Sequence, residues 1–159
     1  MGRMYSVEFE NQSIATASGD YDLFELAPAT NKPIRLHAVY LAVLSETGDA
    51  AEEMLRVRIM RLPATVTSGN GTAAAENLLD TNDSAAGFVS EVIATTVATT
   101  TGTAINLHSD AFNCRVGWVY LPTPETRPRA QNAEYLVVRL MAAVTDDLTM
   151  SGTCYVEEL

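Results

Sequence analysis

The chain has 159 residues, enough for one domain with a sizeable core. Of these, 47% are hydrophobic and 19% charged, an ordinary globular balance, and 20 acidic against 10 basic side chains leave a formal charge of −10. That sign is unsuited to nucleic acid, which is held by Lys and Arg neutralising phosphates, and to anionic membrane surfaces; solubility is the plainer reason for it.

Tyr5, Val7 and Phe9 alternate with Met4, Ser6, Glu8 and Glu10, which predicts an N-terminal strand with one aromatic face. This start is charged and alternating, unlike a secretion signal, and no later run reaches transmembrane length. Asn11–Asp20 reads as a turn, with a short strand at Ile14–Ala17. Asp22–Ala27 is the next strand, ended by Pro28. Lys32–Leu62 reads as a pair of long strands joined by a short acidic loop. In the first, Ile34, Leu36, Ala38 and Tyr40 point inward, and Arg35 and His37 outward; from Val39 on it is apolar on both faces, which predicts cover on both sides. In the second, Leu55, Val57 and Ile59 alternate with Arg56 and Arg58. One helical turn fits Ala50–Glu53 in the loop between them.

Pro63–Ser90 is the longest irregular stretch, with a polar tip at Thr67–Thr72 and a short helix expected at Ala73–Leu79 or Ser84–Ala86. A connection of this length in a compact domain often marks an interaction loop. Phe88–Thr101 is rich in Val, Ile and Thr and suits a strand, which Gly102 breaks. Ala104–Leu107 and Ala111–Leu121 follow, separated by His108-Ser109-Asp110. The second of these places Phe112, Cys114, Val116, Trp118 and Tyr120 on one face. Pro122–Arg129 holds three prolines and cannot join a sheet interior. Glu134–Val144 and Leu148–Glu157 read as a hairpin turning at Asp146-Asp147. The expectation is a single all-β domain over residues 1–159. It would be an antiparallel β-sandwich of eight to ten strands with at most short helical turns. The even spread of strands favours a jelly-roll-like arrangement over an immunoglobulin-like one.

Residues able to carry chemistry are sparse. His37 and His108 are scattered and lack zinc-ligand spacing. Asp80, Asp83 and Asp110 have no calcium-loop order, and no serine stands in G-x-S-x-G. Consecutive acidic pairs such as Glu52/Glu53 point to opposite faces of a strand, the wrong arrangement for paired catalytic carboxylates. Cys114 and Cys154 form no C-x-x-C and read as small buried thiols of a chain folding in a reducing cytoplasm. The expectation is therefore a non-enzyme without metal or cofactor. Trp118 with Tyr120 could form a sugar-stacking platform, as in carbohydrate-binding modules, although a core aromatic is the commoner role. Arg56, Arg58 and Arg61 lie along one strand, Arg35 is expected beside them, and Arg127 and Arg129 stand on the proline loop. In so acidic a chain these six are the candidate contacts with an acidic partner or an identical subunit, against the plainer role of surface pairing with Glu or Asp.

Six segments together carry a family resemblance: Tyr5–Asn11 (YSVEFEN), Asp22–Leu26 (DLFEL), Gly48–Arg58 (GDAAEEMLRVR), Leu107–Arg115 (LHSDAFNCR), Pro122–Pro128 (PTPETRP) and Leu148–Leu159 (LTMSGTCYVEEL). They resemble small virion structural proteins encoded by tailed bacteriophages and prophages, over nearly the whole chain and without a diagnostic catalytic motif. The resemblance implies a capsid decoration (cement) protein, made in the host cytoplasm and docked on the outer surface of the head shell. Its implied partners are the major capsid protein and itself, as a homo-oligomer for which a trimer is the first expectation. A tail, neck or baseplate component, including a receptor-binding head, is the alternative role, and a carbohydrate-binding module a further one.

Overall fold

The computed structural model describes residues 2–16, 19–46 and 52–159. In chain order its strands are β1 (Arg3–Ile14), β2 (Tyr21–Ala27), β3 (Ile34–Val43), β4 (Met54–Leu62), β5 (Val66–Thr67), β6 (Thr72–Ala73), β7 (Asn77–Leu78), β8 (Val89–Ala94), β9 (Thr99–Thr100), β10 (Ile105–Asn113), β11 (Trp118–Tyr120), β12 (Arg129–Ala130), β13 (Tyr135–Met141) and β14 (Leu148–Glu158). The helical content among the described residues is one 3-10 turn, Pro124–Thr126.

The long strands form two antiparallel sheets. Sheet A runs β11-β3-β14-β1-β7, with β12 also on β3; sheet B runs β10-β4-β13-β2-β8-β6. β1, β2, β3 and β4 alternate between the sheets, β8, β10 and β13 then join β4 in sheet B, and β14 returns to sheet A. In β14 buried and half-buried positions alternate along the whole strand, so one face meets the core and the other meets solvent. Tyr5, Val7 and Phe9 of β1 enter the core from sheet A and meet Leu23, Phe24 and Leu26 of β2 from sheet B. The Phe9 and Phe24 rings stand 5.2 Å apart across the interior. Gly152 lies opposite Phe9 in sheet A, and a Cβ there would fall 2.7 Å from that ring. A residue without a side chain is what lets the aromatic seat itself.

Residues 63–104 connect β4 to β10 and close over part of the outer face of sheet B. Met60, Leu62 and Val137 on that face are buried with Ala98, and Val66 and Tyr135 pack against them as a second, smaller core. This explains β13, whose interior positions are buried on both faces. Asp22 and Arg139 are neighbours on the covered face and form a buried ion pair at 2.5 Å. The backbone of Ala98 completes it: its N–H donates to Asp22 at 2.7 Å, and its carbonyl accepts from Arg139 at 2.9 Å.

The antiparallel sandwich expected from the sequence is present, and several of its local readings are corrected. β3 and β4 do not pair; they lie in opposite sheets. The same holds for β13 and β14, so no hairpin turns at Asp146-Asp147. β1 continues to Ile14 through Asn11, which takes φ 50°, beside a register shift between Phe9 and Gln12. The helix expected at Ala73–Leu79 or Ser84–Ala86 is absent, and short strands stand in the first of these stretches. β10 runs unbroken through His108–Asp110, and the break falls at Cys114–Gly117. The helical turn expected at Ala50–Glu53 falls partly outside the described residues.

Candidate functional site

Two surfaces of the sandwich carry the candidate contacts, one on each outer face. On sheet A the decisive local feature is a register shift in β3 at His37, between the pairs Leu36–Val156 and Ala38–Tyr155. Such an irregularity reverses the facing of every residue beyond it. Tyr40 therefore points outward, correcting its expected inward position, and Val39 and Leu41 turn to the core. The expected cover over the later half of β3 is also absent among the described residues. Tyr40 is 40% exposed and Val119, its partner on β11, 55%. Leu121, just past β11, is 64% exposed. Tyr155 packs edge-on against Tyr40 at 6.0 Å between ring centroids. A shallow depression of about 280 Å³ opens here, lined among others by Tyr40, Ala42, Val119 and Thr153.

The same strands carry a basic end. Met4, Glu157, Arg35 and Arg129 form one row across β1, β14, β3 and β12. Arg35 bonds Glu157 at 3.2 Å, and His37 Nε2 lies 2.9 Å from the same carboxylate oxygen. Burial pushes the Glu157 carboxyl upward, but the His37 hydrogen bond and the charges of His37, Arg35 and Arg127 outweigh it. The net effect holds Glu157 below the usual carboxylate range. Arg61 approaches from sheet B, donating to the Arg129 carbonyl at 3.3 Å and facing Glu134 at 3.9 Å.

On sheet B the second surface is the part of the outer face that residues 63–104 leave open. Arg58 stands in a row with Arg139 and Ser109, and Arg56 in the next row with Met141 and Ala111. Together they line a depression of about 260 Å³. Arg56 is exposed and Arg58 half-buried, and among the described residues neither forms an ion pair. The six predicted arginines thus fall into two groups. Arg35, Arg61, Arg127 and Arg129 gather at one end of the sandwich; Arg56 and Arg58 lie on the outer face of sheet B. Arg35 does not join Arg56 and Arg58, because its strand belongs to the other sheet.

Trp118 is 6% exposed and does not offer a stacking face. It lies between Phe112 and Tyr120, with centroids at 6.4 and 5.8 Å, and its indole N–H donates to Asp110 at 3.0 Å. That bond, a second from the Ala111 N–H and the neighbouring His108 hold Asp110 below the ordinary carboxylate value against a small burial effect. Both cysteines are buried free thiols, and burial raises the Cys154 thiol far above its usual range. Among the described residues no group of three or more His, Cys, Asp or Glu is placed to hold a metal ion.

Sequence reasoning missed the outward apolar residues Tyr40, Val119 and Leu121. For Tyr40 the signal was present in the two-sided apolar run from Val39 onward, but it reads equally as internal cover. Comparison of the chain with protein-family models, with curated proteins and with solved structures finds no match.

Proposed function

We propose that this chain is a capsid decoration (cement) protein of a tailed bacteriophage, which docks on the outer surface of the head shell and bridges neighbouring capsomers. The observation that carries the reading is the uncovered apolar face of β3 and β11, where Tyr40 of β3, whose sequence calls for cover on both sides, its partner Val119 of β11, and Leu121 just past β11 meet solvent. Apolar side chains grouped on a rigid sheet are suited to a protein contact. The resemblance to phage virion proteins supplies the partner, the major capsid protein. The arginines at the end of the sandwich give the contact a polar rim. Symmetry multiplies many weak contacts into firm attachment, and a homotrimer would present three such faces at once.

Mixing the purified protein with expanded, undecorated capsids tests this. Saturable binding at hundreds of copies per particle supports it. Absence of binding overturns it, and incorporation of only a few dozen copies per virion moves the protein to the tail or neck.

A further inference from the structure

On the covered face of sheet B one row runs from Glu91 of β8 through Glu25 of β2 and Val137 of β13 to Met60 of β4. Glu25 and Glu91 are direct cross-strand neighbours, a placement that is unfavourable when both are ionised. The turn after β5 lies over them. Ser68 Oγ stands 2.8 Å from Glu25 Oε2 and 2.9 Å from Glu91 Oε2. The Gly69 N–H donates to the same Glu25 oxygen at 3.0 Å. Gly69 is required there, because a Cβ would collide with the Thr96 carbonyl. One hydroxyl carries one proton and serves one carboxylate as donor. The second short contact is a hydrogen bond only if the other carboxyl is protonated and donates to the hydroxyl oxygen.

We propose that Glu25, Ser68 and Glu91 form a proton-dependent latch, which holds the turn after β5 on sheet B while the two carboxyls keep one proton and releases it when that proton leaves. The other charged or ionisable groups facing Glu25 are Asp22 on its own strand, which is engaged by Arg139 of β13, and the Tyr135 phenol of β13. Burial pushes the Glu25 carboxyl up to about 7 against the Gly69 and Ser68 hydrogen bonds, with Asp22 adding to the rise. Release would lift Val66 from Met60, Leu62 and Val137 and expose an apolar surface that the closed turn conceals.

Amide hydrogen exchange at Gly69, corrected for the intrinsic effect of pH, tests the latch. In the wild-type protein protection should fall by up to about tenfold per pH unit between roughly pH 5 and 7 and level off above that. In Glu25→Gln, whose amide bonds both neighbours without a proton to lose, protection should stay level. Level protection in the wild type, or the same fall in Glu25→Gln, overturns the proposal. Should Glu25→Gln fail to fold, the carboxyl carbons of Glu25 and Glu91 can be titrated by NMR in the wild type. The latch requires one of the two to titrate above about pH 6, and both titrating below that contradicts it.

Discussion

Asp22 and Arg139 sit where the second core meets sheet B, and their burial makes them sensitive to single substitutions. Asp22→Ala leaves a buried guanidinium without its carboxylate and should cost about 3–5 kcal/mol, read as a fall in the urea midpoint. Replacing both, as Asp22→Leu with Arg139→Met, should recover only part of that loss: no charge is then stranded, but the Ala98 N–H and carbonyl lose their partners. Two other carboxyls give stability opposite pH dependences. Glu157 is held below its ordinary value, so its contribution is full above the usual carboxylate range and is lost as pH falls through the lowered value. Glu25 is raised from 4.5 to about 7, so the folded chain keeps a proton that the unfolded chain has lost, and stability declines as pH rises between those values. Urea midpoints against pH should therefore fall at both ends of the range. Glu157→Gln should flatten the acid limb and Glu25→Gln the neutral one.

Among the elements, β14 is the central member of sheet A, and its Gly152 lies against the Phe9 ring. Gly152→Ala forces a methyl against the Phe9 ring and should cost about 1–3 kcal/mol, measured by thermal or urea unfolding. Gly117 has φ 79° at the turn into β11, and there Gly117→Ala adds backbone strain of about 1 kcal/mol. Alternation made β1, β2, β3, β4 and β14 legible in the sequence to within a few residues. Their pairing was not legible, because a short loop between two strands fits a hairpin and a crossing between sheets equally well. β3 and β4 proved to lie in opposite sheets, and so did β13 and β14. The facing of Tyr40 was lost for a different reason: one extra residue at His37 reverses everything beyond it, and nothing in the local composition announces that shift. The long connection after Pro63 read as a loose loop because its short strands gain their partners only in the fold.

For the molecule as a whole, the arginines were legible in the sequence as candidate contacts and the exposed apolar face was not. Charges are visible residue by residue, whereas a surface assembled from β3, β11 and β14 exists only after the sheet forms. Val119→Asp with Leu121→Asp should leave the unfolding midpoint nearly unchanged, since both side chains are already in water, and should abolish attachment to capsids. Arg56→Glu with Arg58→Glu tests the other face independently, and on this account it should weaken attachment less. The most direct measurement is an electron cryo-microscopy map of expanded capsids decorated with the protein. The account predicts density for many copies seated on the outer shell, with Tyr40, Val119 and Leu121 turned to a capsomer or a sister copy. A map in which that face points to solvent on every bound copy, or in which the shell stays bare at saturating protein, contradicts it.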